Sequence, residues 1–313
     1  MQKLIFSRGK DAAIGNIKLC FKVSVILALV SAVLRSIAYL VSFDSEIGYF
    51  NGSFFATAVN YLIILACVFA LGSFVYISKQ ASLPNMLDNS GNAVFFSSVF
   101  AGFIMIADFA YKIYAMIGED KFSYYKFILD PKYKAEDSYF VRAKAIIEIV
   151  GVLASLLAAI CFFLRSSKKA NGKLCTWLGF FPIARALSSV AQIYFEMEVQ
   201  MNHPSKLMLQ FALIAIMIYF LCEMRFYVSE DHPRPRRFFV CGCIAYILAI
   251  SAGVSEMVGF FFGSLSRGDF CIEAFFCFTM SFYILSRVSS FVQSAETAPK
   301  ATNASVTEES SAE

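Results

Sequence analysis

Charged residues are scarce in this chain, and their scarcity excludes most soluble folds. Asp, Glu, Lys and Arg make up 16% of the 313 residues, whereas a soluble domain carries about 25%. Hydrophobic residues make up 58% of the chain, and the mean hydropathy is +0.65. The apolar residues come in blocks of about 20, the length of helix that crosses the hydrocarbon core of a bilayer. The sequence therefore predicts an all-α integral membrane protein.

Histidine is almost absent, and this excludes several kinds of catalytic centre. His203 and His232 both lie in predicted loops, so a histidine-ligated metal or a Ser–His pair within the membrane is not predicted. The GxxxxGK and HExxH motifs are also missing. Cys241 and Cys243 are interpreted as packing residues, because cysteine is a common small apolar residue in helices. We predict no metal and no cofactor, and an enzyme that uses only carboxylates is the one catalytic alternative.

Eight hydrophobic blocks predict eight transmembrane helices, and the last block, which contains Glu273, is the weakest. The predicted spans cover residues 18–42, 52–78, 92–117, 140–164, 174–198, 206–229, 238–263 and 270–287. The first block is too long for a cleavable signal, and no small-residue cleavage site follows it.

Lys and Arg concentrate on one side of these spans, and the positive-inside rule then places both termini in the cytoplasm. The cytoplasmic charges include Arg165, Lys168, Lys169, Lys173, Arg234, Arg236, Arg237 and Arg287. With these loop charges assigned to the membrane surface, the net charge of +4 gives no argument for a nucleic-acid partner. The longest loop, 118–139, is predicted outside. We expect a multi-pass protein of the plasma membrane, with a preference for a bacterial inner membrane because the loops are short.

The same pattern divides the chain into five segments. Residues 1–17 are predicted as a basic cytoplasmic lead-in, 18–164 as a first four-helix half, 165–173 as a cytoplasmic linker, 174–287 as a second four-helix half and 288–313 as a disordered cytoplasmic tail. The tail is predicted as disordered because its residues are small, polar and acidic.

An internal comparison favours a tandem repeat of four plus four spans. A shift of about 150 residues aligns Arg35 with Arg185, Glu46 with Glu196, Tyr76–Ser78 with Tyr227–Ser229 and, approximately, Asp108 with Glu256. An even number of spans in each half keeps the two halves in the same orientation, which implies a parallel repeat about an axis along the membrane normal.

Ionisable residues inside the predicted spans are candidates for a site, because such residues usually face the bundle interior or a water-filled cavity. Arg185, Ser189, Gln192 and Glu196 recur at helical spacing and form one polar stripe. Most of the intramembrane charges fall in the predicted outer half. The candidate ligand-binding residues are Arg35, Asn60, Asp108, Lys112, Glu148, Arg185, Gln192, Glu196 and Glu256.

Two interpretations of these residues remain open. They could line an outward-facing cavity that binds or transports a small polar or zwitterionic solute through charge-assisted hydrogen bonds. They could instead be buried ion pairs that fix helix packing, in a non-catalytic sensor, assembly factor or accessory subunit that acts through a protein partner. The lipid bilayer is the partner in both cases.

Glu223, in "CEMRFYVSEDHPRPRR", is the exception on the predicted inner side. Arg225 lies two residues further along and faces a different side of the helix, close enough to the surface to extend into it. Glu223 is therefore expected to need a cationic or hydroxyl partner from another helix.

Overall fold

The fold is a bundle of helices with one short ribbon. The computed structural model describes the backbone of residues 2–44, 47–77, 83, 87, 91–118, 125–126, 138–167, 173–196, 203–228, 234–262 and 268–309, and most side chains between 16 and 295. The helices are α1 (Gln2–Ser42), α2 (Phe54–Tyr76), α3 (Asn92–Gly118), α4 (Ser138–Ser166), α5 (Lys173–Leu178), α6 (Phe180–Phe195), α7 (Pro204–Val228), α8 (Pro235–Phe261) and α9 (Gly268–Glu309). Strands β1 (Phe43–Asp44) and β2 (Tyr49–Phe50) pair antiparallel between α1 and α2.

Eight segments of the described chain are long and apolar enough to cross a membrane. This confirms the prediction of a polytopic all-α membrane protein. The weakest predicted span is one of the eight, as the stretch Cys271–Ala295 of α9. The orientation and the tandem repeat stay predictions.

Consecutive spans run in opposite directions through the bundle. The late part of α1 meets the start of α2, the start of α7 and the late part of α8 through Arg35, Asn60, Ser205 and Glu256. At the opposite end, α4 and α7 finish together, where Arg165 bonds to Glu223. Following the predicted orientation, we call the end where α4 and α7 finish the inner end, and the other the outer end.

Helix α8 lies at the centre of the bundle: 78% of its most apolar stretch is buried inside the protein, compared with 28% for α2. Gly253 lets α9 approach α8 closely, because a methyl group built on Gly253 would lie 2.5 Å from the backbone nitrogen of Phe278. Small residues at such crossings bring helices together where lipid supplies no hydrophobic drive for association.

The fifth predicted span is broken into α5 and α6 at Gly179. Pro182 explains the position of the break, since its ring clashes with the carbonyl group four residues earlier and it has no N–H to donate to that group. Trp177 on α5 is 71% exposed, and a tryptophan of this kind suits the membrane–water interface.

Two features differ from the sequence-based expectations, and one aligned residue has no structural counterpart to compare. The packed part of α9 continues beyond the predicted boundary at 287, because Val288 and Phe291 are buried in the core, and the helix itself runs on to Glu309. The ribbon β1–β2 was not predicted; its turn uses Gly48, at a φ of 77°. Glu46, which the repeat aligns with Glu196, lies outside the described residues.

Candidate functional site

Arg185 on α6 is fully buried and bonds to two carboxylates from different helices. Its Nε and Nη2 donate to the two oxygens of Asp108 on α3, at 2.7 and 3.0 Å. Its Nη2 and Nη1 also donate to Glu273 on α9, at 3.1 and 3.3 Å. The guanidinium carbon lies 5.0 Å from the ring centroid of Phe276, so the aromatic face adds a cation–π contact.

Lys112 completes a set of four charged side chains, which we call the quartet: Asp108, Lys112, Arg185 and Glu273. Its ammonium lies 3.5 Å from Asp108 and 4.0 Å from Glu273, without a hydrogen bond to a described side chain. Ser155 on α4 donates to Asp108 at 2.6 Å. The quartet has two positive and two negative charges, so it is neutral as a unit. Three helices, α3, α6 and α9, contribute to it, and Ser155 adds a contact from a fourth.

A second group surrounds Arg35 near the outer end. Arg35 donates to Asn60 at 2.8 Å and lies 3.7 Å from the carboxylate of Glu256. Tyr39 donates to the same carboxylate at 2.6 Å, and Ser205 donates to its other oxygen. This group therefore connects α1, α2, α7 and α8 through one buried ion pair.

The two groups use arginines and carboxylates that the proposed repeat aligns with one another. Arg35 pairs with Glu256, and Arg185, its equivalent after the shift, pairs with Asp108. In the numbering of the spans, an arginine on the first span contacts a carboxylate on the seventh, and an arginine on the fifth contacts a carboxylate on the third. The tandem repeat itself stays a prediction.

The remaining predicted residues have other contacts. Glu148 accepts a hydrogen bond from Tyr125. Gln192 and Ser188 pack beside Gly151. The backbone carbonyl of Glu196 accepts a hydrogen bond from Lys206 at 2.7 Å.

Of the nine predicted residues, Asp108, Lys112 and Arg185 contact one another, and Arg35 contacts Asn60 and Glu256. Among the partners that the prediction left out, Glu273, Ser155, Tyr39 and Ser205 contact the charged groups directly. Glu273 was noted in the sequence, but it was not chosen as a candidate because it lies at the start of the weakest predicted span.

A third charged group lies at the inner end and gives Glu223 the partners that it was expected to need. Arg165 and Arg287 donate to its two oxygens at 2.7 and 2.8 Å, and the Tyr283 hydroxyl donates at 2.7 Å. Arg287 also donates to Tyr227. Both arginines, assigned to the cytoplasmic side by the positive-inside rule, are 1% exposed, because they pack around Glu223 where α4, α7 and α9 meet.

A narrow apolar cleft lies between α1, α8 and α9. It is lined by residues that include Phe21, Ser24, Tyr246 and Leu285, and it has no room for a water molecule. None of the nine predicted site residues borders it. Within the described residues, no three His, Cys, Asp or Glu side chains group closely enough to hold a metal ion.

Comparison with protein-family models, with curated proteins and with solved structures gives no match for this chain. Its charged groups must therefore be interpreted from their own geometry.

Proposed function

We propose that this membrane protein binds, and by extension transports, a small zwitterionic solute at the quartet. The observation that carries the proposal is the double engagement of Arg185, which holds Asp108 and Glu273 together with Lys112 in reach of both. A solute with one carboxylate and one ammonium group matches the two kinds of charge that the quartet presents.

The bound solute would replace one ion pair of the quartet with two new ones and would leave no buried charge unpaired. The solute carboxylate takes the place of Glu273 on Arg185, whose bonds to Glu273 are the longer ones at 3.1 and 3.3 Å. The released Glu273 then accepts the solute ammonium group, while Asp108 keeps its bidentate bond. Breaking a buried pair is costly when a charge is left alone, so the presence of both charges on the solute favours a zwitterion over a simple ion.

The position of the quartet supports transport as the use of this binding. Asp108 and Lys112 belong to the first half and Arg185 and Glu273 to the second, so the solute would lie between the proposed repeats. Substrate sites near the midplane at a repeat interface are a recurrent arrangement in secondary transporters, which expose the site to each side by moving one repeat against the other. The host membrane that we propose is the plasma membrane, by preference a bacterial inner membrane.

The test compares ligand-induced thermal stabilisation in the wild-type protein and in a charge-balanced double variant, Lys112→Met with Glu273→Gln. This variant keeps the Arg185–Asp108 pair and the neutrality of the set. The purified protein in dodecyl maltoside is screened with amino acids, polyamines and organic acids. We expect an amino acid to raise the unfolding temperature of the wild type, and the double variant to lose that rise.

Ser97→Ala is the matched control. It removes the 2.6 Å contact between Ser97 and Ser286, which joins the same two helices, α3 and α9, at the inner end. This variant should keep the full response to the solute. If no compound stabilises the wild type while the double variant unfolds more readily, the quartet is a packing device, and the alternative of a sensor, assembly factor or accessory subunit replaces the proposal.

A further inference from the structure

The inner-end group has more positive than negative charge among its buried members. Arg165 and Arg287 share one carboxylate, that of Glu223, at 2.7 and 2.8 Å. Tyr283 and Tyr227 add hydroxyl groups, which carry no formal charge. These five side chains therefore have one guanidinium charge more than carboxylate charge.

Arg165 has hydrogen-bonding capacity that nothing in the described chain uses. Its Nη1 donates to Glu223 and to the Tyr283 hydroxyl, whereas its Nε and Nη2 have no partner although they are buried. Buried polar groups are almost always hydrogen-bonded, and a buried charged donor without an acceptor is especially costly. These two adjacent N–H groups form one side of the guanidinium fork, the geometry that binds two oxygens of a phosphate or carboxylate group.

The unused side of Arg165 faces the break between α5 and α6. A methyl group built on Gly179 would lie 3.0 Å from Nη2, so the glycine at the break keeps a side chain out of this position. Nearby on α5, Leu174 and Trp177 are 63% and 71% exposed, as expected for a short helix at the lipid boundary. The free donors thus lie beside the part of the bundle that meets the headgroup region.

We propose that Arg165 anchors a phosphate group at the inner end of the bundle, bound through Nε and Nη2 and carried either by an anionic lipid or by a soluble phosphate. Basic pockets between transmembrane helices on the cytoplasmic side bind lipid headgroups of this chemistry. The site is independent of the solute site proposed above, since it uses none of the quartet. The aromatic rings of Phe220 and Tyr227, 5.9 and 5.4 Å from the guanidinium carbon, hold Arg165 in place.

The experiment measures thermal unfolding in dodecyl maltoside, a detergent without phosphate. Phosphatidylglycerol, diacylglycerol and inorganic phosphate are added separately, the last against sodium chloride of equal ionic strength. We expect phosphatidylglycerol to raise the unfolding temperature in a saturable manner and diacylglycerol, which has the chains but lacks the phosphate, to leave it unchanged. A comparable rise with inorganic phosphate assigns the site to a soluble anion, and its absence assigns the site to the lipid.

Three variants distinguish binding by the paired N–H donors of Arg165 from general attraction of the phosphate to positive charge. Arg165→Lys keeps the charge but loses the paired donors, and Gly179→Ala narrows the space beside them; each should weaken the apparent affinity about tenfold or more, the loss expected for a hydrogen bond to a charged group. Arg225→Gln removes an exposed charge on the same side and should keep the full response.

The proposal is overturned by any of three results. The first is that neither phosphatidylglycerol nor inorganic phosphate stabilises the wild type. The second is that diacylglycerol stabilises it as strongly as phosphatidylglycerol. The third is that Arg225→Gln weakens the response as much as Arg165→Lys does. Gly179→Ala keeps the test informative if the Arg165 variant fails to fold, because Gly179 has helical φ and ψ of −61° and −16° and alanine adopts these without strain.

Discussion

Replacing Glu223 with glutamine should destabilise the bundle strongly, because its carboxylate binds both Arg165 and Arg287 at the inner end. The side chain is fully buried, and it accepts hydrogen bonds from Arg165, Arg287 and Tyr283 at 2.7 to 2.8 Å. Glutamine has the same size but no charge, so Arg165 and Arg287 lose the negative charge that they share, without a gain in volume. Breaking a buried pair on one side costs about 3–5 kcal/mol, which is the loss of unfolding free energy that we expect.

The assay is equilibrium unfolding in mixed micelles of dodecyl maltoside and sodium dodecyl sulfate, followed by helical circular dichroism. The matched control is Arg225→Gln, which also removes a charge from α7, two residues further on but on an exposed face. An exposed charge contributes about 0–1 kcal/mol, so the control should unfold almost as the wild type does. If the two variants lose the same stability, the assignment of Glu223 as the shared counter-ion is wrong.

A milder change keeps this prediction testable if Glu223→Gln does not fold. Tyr283→Phe removes only the hydroxyl group that donates to Glu223 at 2.7 Å and accepts from Arg165 at 3.0 Å. Hydrogen bonds to charged groups are worth about 1.5–3 kcal/mol, so this variant should fall between the wild type and Glu223→Gln. No loss of stability in Tyr283→Phe would contradict the hydrogen-bond geometry of the inner group.

Two further predictions concern helix packing and orientation. Gly253→Ala should destabilise the bundle by about 1–3 kcal/mol through overpacking, since the added methyl group would meet the backbone of α9 at 2.5 Å. Gly72→Ala, where the methyl group would meet no atom within 4 Å, should be neutral or slightly stabilising. The same micelle titration compares the two variants, and equal effects would contradict the close crossing of α8 and α9. A cysteine introduced at Ser166 should resist a membrane-impermeant maleimide added to intact cells, whereas one in the long loop between α3 and α4 should react, and the opposite pattern would reverse the orientation.

The number of spans was predictable because it depends on local properties. A block of about 20 apolar residues must cross the bilayer as a helix, whichever neighbours it finds, since unpaired backbone groups are too costly in lipid. The break at Gly179 was less accessible, because Pro182 marks a disturbed helix but does not say whether the helix kinks or divides. The packed extension of α9 past 287 depends on Val288 and Phe291 finding a core, which hydropathy alone does not register.

The charged residues were predictable as inward-facing but not as pairs. The stripe on the fifth span correctly identified Arg185 as a buried residue, yet its partners Asp108 and Glu273 come from helices that are distant in the chain. The burial of Arg165 and Arg287 was not predicted, for a different reason. A basic residue near a span end satisfies the positive-inside rule equally well at the surface or one turn deeper, and only the position of Glu223 distinguishes these two cases.

Burial of charge does not by itself separate a binding site from a packing device, because lipid requires pairing in both. The three charged groups differ in the hydrogen-bonding capacity that is left once their charges are paired. Around Glu256 the carboxylate is met by Arg35, Tyr39 and Ser205, which suits a fixed contact between helices. The quartet is neutral but has one arginine shared by two acids, so partners can exchange. Two buried N–H groups of Arg165 have no acceptor among the described residues. The shared arginine of the quartet and the unpaired donors of Arg165, rather than the buried charges themselves, are the grounds for the two proposals.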